Sequence, residues 1–434
     1  MPSIRFKRFW LAASLAIFLT SSSVQNARAV DVDSSIDAVF QHYDISKTVD
    51  GQDVSPRKKG DRSFTYTTEL AIPRGHSYLI ITDTGAEYSD SINKLAQAHA
   101  GNVIRLDDFR SLIADPRAKA KLISDIARAQ PEFVALAPRL VNFSENVTLA
   151  LWEVLSEYGG GSINVYPAFM VAPNPPAFAK LVAHSLSGES LPASSLNAFI
   201  VGQSTIASAG GARAVQKAQV MKSLIHRLHG TSNSIIVKTK ENIEDLPAQS
   251  EPSVTTLNGD GKVVMAITPD VQTKLANSNL MILFGHGSPG MTCSIDVSAF
   301  RHVPLDNQIV LCGSCFSATP DNSDLPSISQ TNGKHSATFY HRAIENGARV
   351  FYGHMHENGG FPEMFVVLNS LLHGETVGQS YQRLLNVQLK DTKVAENRWV
   401  MTPDQLANKV AIDRRNGLLY IMVGDPAAKP ISFP

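Results

Sequence analysis

Short, fully apolar segments alternate with amphipathic stretches along most of the chain beyond position 77. Residues 78–81, 133–136, 280–284 and 309–311 contain only apolar or aromatic side chains, which is typical of strands that are buried on both faces of a sheet. Apolar residues recur at helical spacing between these segments. The alternation predicts an α/β fold, with helices covering both faces of a mostly parallel sheet.

Polar and small residues mark where the predicted helices begin and end. Asp115 followed by Pro116 is an N-cap with a proline in the first helical position, and Pro131 closes that helix. Residues 147–158 form a strongly helical segment that ends at a run of three glycines. The serine-rich stretch 185–195 lies between two such strand–helix series, so it predicts a boundary between two halves of the fold.

The N-terminus has the pattern of a secretory signal peptide. Arg5, Lys7 and Arg8 precede an apolar run at 10–20, and an Ala-x-Ala site ends at Ala29. The apolar run is shorter than the roughly 20 residues that span a bilayer, although an uncleaved anchor is the alternative. We therefore predict export to the periplasm or to the outside of the cell.

These boundaries divide the chain into four predicted parts. They are a signal peptide (1–29), an N-terminal arm or pro-region (30–61), a first subdomain (62–189) and a second subdomain (190–434). The segment 1–29 holds four of the 39 basic residues and none of the 39 acidic ones, which leaves a net charge of −4. This balance gives no reason to expect nucleic acid or an anionic membrane as a partner, and no later stretch is long and apolar enough to span a bilayer. The oligomeric state stays open.

Two predicted strand ends carry side chains that can act in catalysis. His286 lies in the glycine-rich segment 284–290, directly after an apolar strand. Cys315 lies just beyond the next fully apolar strand, 309–311. Because reacting groups gather at the carboxyl ends of parallel strands, a thiol and an imidazole are expected to meet there. A thiolate that attacks a carbonyl, an imidazole that moves protons and backbone N–H groups that stabilise an oxyanion make an acyl-transfer site.

The order of these features resembles the caspase–hemoglobinase fold, and the flanking segments resemble gingipains in particular. In that pattern, an apolar block and His-Gly precede a second apolar block, a small residue and the catalytic cysteine. The segments with further similarity, all in the gingipain order, are 78–83, 131–136, 165–174, 343–353 and 419–426.

The resemblance implies a caspase-like α/β/α sandwich of two side-by-side subdomains, and a cysteine endopeptidase acting on proteins or peptides. Cys315 would be the nucleophile and His286 the general acid and base. The oxyanion hole would be formed by Gly287 and Cys315 backbone N–H groups. No organic cofactor is implied. Residues expected near the substrate groove are Ser314, His354 and His356.

Several alternatives accompany this interpretation. Cys312-x-x-Cys315 has the spacing of a redox motif, and a disulfide there would silence the enzyme reversibly; the other interpretation is that Cys312 packs in the strand. His354 and His356 could share a metal, but no third ligand of definite spacing follows, so we predict no metal. A calcium ion on the loop that contains Asp321, Asn322 and Asp324 is the alternative to a plain turn.

One departure from the family pattern concerns specificity. Gingipains that cut after basic residues carry an acidic group in the S1 pocket, and no residue is matched to it here, because the corresponding segment 147–158 is predicted to be helical and is mostly apolar. The functional rival is a catalytically silent, exported binding protein that keeps the fold. Both members of the predicted dyad are present, which favours the enzyme.

Overall fold

The computed structural model describes the larger part of the chain. The described residues are 77–204, 218, 220–226, 230–238, 256–259, 262–265, 269–285, 287–288, 290–293, 295–319, 338–356, 361–392 and 416–432. They all lie in one compact unit, Phe64–Pro434. The predicted signal peptide, the N-terminal arm, His286 and the candidate calcium loop 321–324 lie outside the described residues.

Ten strands of the described residues form one sheet. Their bounds are β1 Tyr78–Thr82, β2 Asn102–Arg105, β3 Phe133–Ala137, β4 Tyr166–Phe169, β6 Asn197–Ser204, β7 Thr231–Lys238, β10 Leu280–Phe284, β14 Ile309–Cys312, β15 Val350–His354 and β16 Tyr420–Val423. They lie in the order β2-β1-β3-β4-β16-β15-β14-β10-β6-β7. Three smaller sheets use β5 Leu191–Pro192 with β17 Ile431–Ser432, β8 Thr256–Gly259 with β9 Lys262–Met265, and β11 Gly287–Ser288 with β12 Met291–Thr292 and β13 Ile295–Asp296.

Helices connect most of these strands. Their bounds are α1 Ser89–Ala98, α2 Ser111–Ala114, α3 Pro116–Ala129, α4 Glu145–Tyr158, α5 Pro175–Ser187, α6 Pro269–Ala276, α7 Phe339–Glu345, α8 Phe361–Leu372 and α9 Val377–Thr392. The chain moves outward from β1 to β2 and then returns to β3, so right-handed connections place α1 and α3 on opposite faces of the sheet. The predicted α/β class and the two helical layers are therefore confirmed.

The two halves of the chain meet at β16. This last strand of the large sheet runs antiparallel to β15 and parallel to β4, so the strands of the first half run opposite to those of the second. All other neighbours in the sheet are parallel. The sequence pattern predicts each half separately and marks the segment 419–426, but nothing in it places this strand between the two halves.

Local capping explains where the helices begin. The Asp115 side chain accepts a hydrogen bond from the backbone N–H of Arg117, as the sequence predicts for the start of α3. The helix predicted at 147–158 begins two residues earlier, because Ser144 caps it and accepts from the N–H of Val147. The first turn of α4 therefore includes a buried acidic residue, Glu145.

Aromatic packing and one buried carboxylate fasten the second half to the first. Trp152 of α4 packs against Tyr381 of α9, and its indole N–H donates to the carbonyl of Leu418 at 2.9 Å. Asp425, which follows β16, accepts from the hydroxyl of Tyr78 at 2.9 Å and lies 2.8 Å from Nε2 of His99. Within the described part of the chain, no helix is both long and apolar enough to cross a membrane.

Acid is expected to weaken the second half through His341 in α7. This residue is 2% exposed, and burial lowers its pKa from 6.5 to about 4. The fold therefore favours the neutral ring, and the stabilisation is complete above pH 6.5 and is lost as the pH falls towards 4. The cost at pH 4 is about 3 kcal/mol.

His341→Gln is the matched variant for this prediction. The Nδ1 of His341 accepts from the N–H of Thr338 in a capping box, a position where glutamine is also favoured. Urea midpoints of the two proteins should be similar at pH 7, and the wild-type midpoint should fall further than that of the variant between pH 6.5 and 4. Parallel curves for both proteins would contradict the assignment to His341.

Candidate active site

The two predicted motif segments leave neighbouring strands at the same edge of the sheet. β10 and β14 are adjacent and parallel, with Leu283 paired to Cys312. The pairing continues past the end of β14, since the N–H of Gly313 donates to the carbonyl of Leu283 at 2.7 Å. Both strands are fully buried. Their following loops therefore begin side by side, from a rigid base.

Cys315 lies in a turn, three residues beyond the end of β14, and is partly exposed. The next residue, Phe316, has φ of 56°, in the left-handed region that bulky side chains rarely adopt. Such strain costs about 1–3 kcal/mol and persists only where the surroundings enforce it. The backbone is thus held in an unfavourable conformation directly beside the thiol.

The segment that follows β15 enforces this conformation. The N–H of Phe316 donates to the carbonyl of His356 at 2.9 Å, and the N–H of Ala318 donates to that of His354 at 3.0 Å. Thr319 adds a hydroxyl hydrogen bond to the carbonyl of Met355 at 2.6 Å. These three bonds fix the turn from Cys315 to Thr319 against a neighbouring strand end.

Gly287 lies directly on the Cys315 loop. A Cβ atom added to Gly287 would overlap the carbonyl oxygen of Cys315 and would lie 2.9 Å from the Cβ of Ser314. Only a glycine allows this approach of two backbones. His286 lies outside the described residues, but the residues on both sides of it, Gly285 and Gly287, are described.

The residues predicted near the groove have different surroundings. Ser314 is fully buried, and its hydroxyl accepts from the N–H of Cys293 at 3.3 Å. His354 is also fully buried, with its ring edge-on to Tyr420 at 4.3 Å. His356 is 8% exposed and packs against Phe316 with ring centroids 5.3 Å apart. Ser314 and His354 thus lie on the buried side of the Cys315 loop, and His356 lies beside Phe316, whose backbone is strained.

Cys312 is part of the strand layer. It is fully buried, and its thiol lies 3.0 Å from the hydroxyl of Thr292. Burial raises the pKa of this thiol, which disfavours the thiolate that exchange reactions require. The three cysteines, all within the described residues, form no disulfide. This environment supports the packing interpretation of Cys312 over the redox motif.

A helix of the first half that begins with a buried acidic residue reaches this region. Glu145 is fully buried in the first turn of α4. In the next turn, the hydroxyl of Thr148 donates to the sulfur of Met355 at 3.6 Å. Since the carbonyl of Met355 is one of the three that hold the Cys315 turn, the start of α4 packs beside the candidate site. The sequence prediction considered α4 only from residue 147 and missed this carboxylate.

Two further residues were also missed. Gln203 lies near the carboxyl end of β6, where the strand order reverses between β6 and β10, a place where open α/β sheets bind ligands. Cys293 lies in the turn between β12 and β13. The Gly-Ser-Pro-Gly segment at 287–290 is a turn signal that could have indicated the small sheet after His286, but nothing local indicates its contacts.

Among the described residues, no three His, Cys, Asp or Glu side chains cluster as metal ligands.

Comparisons with known proteins show similarity in structure. No protein-family model matches the chain, and no curated protein matches it in sequence. A solved complex of the pro- and mature domains of RgpB from Porphyromonas gingivalis is similar, with a TM-score of 0.51 and 11% identity, covering 82% of this chain and 80% of that one. A solved structure of a protease has a TM-score of 0.51 and 13% identity, covering 82% of this chain and 78% of the other. The predicted resemblance to gingipains is therefore confirmed at the level of the fold.

Proposed function

We propose that this chain is an exported cysteine endopeptidase, with Cys315 as nucleophile and His286 as general acid and base. The observation that carries the proposal is the direct contact of Gly287 with the Cys315 loop, at the carboxyl ends of two adjacent parallel strands. Leu283 pairs with Cys312, and His286 and Cys315 each follow three residues later in the sequence. The imidazole and the thiol are thus expected to face each other across one cleft.

Peptide hydrolysis at such a pair proceeds through a covalent acyl-enzyme. His286 takes the thiol proton, and the sulfur of Cys315 attacks the carbonyl carbon of the substrate to give a tetrahedral oxyanion. The carbon–nitrogen bond then breaks, and the imidazolium of His286 gives its proton to the departing amine. The acyl half of the substrate remains on Cys315 as a thioester.

Water completes the cycle. His286 takes a proton from a water molecule, and the resulting hydroxide attacks the thioester carbonyl. The carbon–sulfur bond breaks, the carboxylic acid leaves, and the imidazolium of His286 returns its proton to the sulfur of Cys315. No bound metal or organic cofactor takes part in either half of this scheme.

The proposed oxyanion donors are the backbone N–H groups of Gly287 and Cys315. Phe316 is not available for this role, because its N–H already donates to the carbonyl of His356. Donors that are held in place before the reaction stabilise the developing charge without reorganisation, which is the largest single contribution in many acyl-transfer enzymes. The backbone contact between Gly287 and the Cys315 loop supplies that rigidity.

The proposed setting of the reaction is outside the cytoplasm. The basic start, the short apolar run at 10–20 and the site ending at Ala29 support removal of a signal peptide. Substrates would then be extracellular or periplasmic proteins and peptides.

Cleavage is not expected to be restricted to arginine and lysine. A basic side chain is worth removing from water only where a buried carboxylate receives it, and the neutral carboxamide of Gln203 lies near the carboxyl end of β6. Profiling of the purified exported protein on a peptide library, with Cys315→Ala as the blank, measures the residue before the cut. Cleavage at several residue types that is absent from the blank is the expected result.

Substitution of Glu145 provides the control for this prediction. A profile dominated by arginine or lysine would contradict it and would make Glu145 the candidate for the S1 acid. Glu145→Gln, which keeps the size of the side chain, would then lose the basic preference. If the wild-type profile is broad, the same variant should keep it. An absence of cleavage by folded wild-type protein would instead refute the proposed function and favour the silent binding protein.

A further inference from the structure

Cys293 occupies a strained position in the turn between β12 and β13. Its φ is 51°, in the left-handed region, and it is fully buried. A non-glycine residue keeps this conformation only when its surroundings hold it there. The side chain and the backbone of Cys293 must therefore make contacts that a relaxed turn would lose.

The first set of contacts joins Cys293 to the nucleophile loop. Its backbone N–H donates to the hydroxyl of Ser314 at 3.3 Å, and its sulfur lies 3.3 Å from the same hydroxyl. Ser314 immediately precedes Cys315 and is fully buried. Cys293 thus contacts the side chain next to the proposed nucleophile through both its backbone and its sulfur.

The second set of contacts joins Cys293 to the histidine loop. Gly285 immediately precedes His286. A Cβ added there would lie 3.3 Å from the Cα of Cys293, and 2.5 Å and 2.7 Å from the Cβ and Oε1 of Gln203. The backbone before His286 therefore lies close to both the end of β6 and the turn at Cys293, without room for a side chain.

We propose that Cys293 is a positioning residue that sets the distance between the two loops of the dyad. The inference rests on the proposed function, since it assigns Cys293 a role in aligning His286 with Cys315. Cys293 acts through Ser314 on one loop and through Gly285 on the other, and it takes no part in bond making. Misplacement of reacting groups by about 1 Å costs roughly 10²-fold in rate. A residue that sets the distance between the two loops is therefore expected to affect kcat more than substrate binding.

Two substitutions separate this role from simple packing. Cys293→Ala removes the sulfur and its contact with Ser314, and it should lower kcat roughly 10-fold with KM changed less than about twofold. Cys293→Ser keeps a group that can hydrogen-bond with Ser314, and its kcat should stay within about threefold of wild type. Ile295→Val, at another buried position in the same small sheet, is the control for lost packing, and its kcat should be unchanged.

A double-mutant cycle tests the path through Ser314. If Cys293 acts through that hydroxyl, Cys293→Ala in a Ser314→Ala background should lower kcat no further than Ser314→Ala alone, because neighbours in one network are not additive. Urea midpoints are measured for each variant, and kcat is expressed per folded, Cys315-titrated molecule. Independent and multiplicative effects of the two substitutions would overturn the inference.

The outcomes distinguish this inference from the proposed function. An inactive but folded wild type would refute the proposed function itself. An active wild type with Cys293→Ala at the same kcat, or with Cys293→Ser as impaired as Cys293→Ala, would overturn the positioning role and leave the proposed function intact. We expect a lowered kcat in Cys293→Ala and a kcat close to wild type in Cys293→Ser. In the Ser314→Ala background, we expect Cys293→Ala to lower kcat no further.

Discussion

Replacing Cys315 by alanine is expected to abolish peptide hydrolysis, with kcat lowered by at least about 10³-fold. The thiol is the only group in the proposed scheme that forms a bond to the substrate, so no neighbour can substitute for it. The kcat of His286→Ala should be lowered by a similar factor, about 10²–10⁴-fold, because the thiol then lacks its base and the leaving amine lacks its acid. Initial rates on an internally quenched peptide at saturating concentration measure both effects.

Cys312→Ala is the matched control for these substitutions. It removes a thiol three residues from Cys315, but that thiol is fully buried beside Thr292. Its kcat should stay within about threefold of wild type, even where the folded state is somewhat less stable. Loss of hydrolysis in Cys312→Ala but not in Cys315→Ala would transfer the nucleophile to the other cysteine and contradict the assignment.

Gly287→Ala is expected to remove nearly all activity, with kcat lowered roughly 10²-fold or more. The added methyl group would overlap the carbonyl oxygen of Cys315, which is backbone and cannot turn aside as a flexible side chain does. The two loops must therefore separate, and both proposed oxyanion donors move with them. Steady-state kinetics should show the loss mainly in kcat, since the contact aligns reacting groups.

Gly101→Ala distinguishes this effect from a general loss of stability. A Cβ at Gly101 would lie 2.7 Å from the carbonyl oxygen of Tyr78, a similar backbone overlap in the first half of the chain. Both alanine variants should unfold at lower urea concentration, by about 1–3 kcal/mol in stability. Only Gly287→Ala should lose kcat per folded molecule, and equal kcat values for the two variants would contradict a catalytic role for the contact.

The sequence predicts the fold class and the places where the chemistry should occur. Fully apolar segments such as 280–284 and 309–311 correspond to buried parallel strands, because strands covered on both faces have no polar positions. The cap at Asp115 is predicted correctly, since capping depends on residues within one turn. Features of this kind depend on local composition, and one chain is enough to recognise them.

Contacts between distant segments could not be predicted in this way. Tyr420–Val423 is recognisable as a strand, but nothing in its sequence shows that it lies between β4 and β15, parallel to β4 and antiparallel to β15. The strain at Phe316 and at Cys293 is set by partners far along the chain. Glu145 escaped notice because Ser144 begins the helix earlier than the apolar pattern does.

Covalent labelling of Cys315 tests the central claim most directly. Native protein is treated with a peptidyl acyloxymethyl ketone, and the modified residue is identified by peptide mass spectrometry in wild type, Cys315→Ala and His286→Ala, with near-UV circular dichroism as the check on folding. We predict one adduct on wild type, at Cys315, that is absent from Cys315→Ala and strongly slowed in His286→Ala. A folded wild type without an adduct, or equal labelling rates with and without His286, would contradict the dyad.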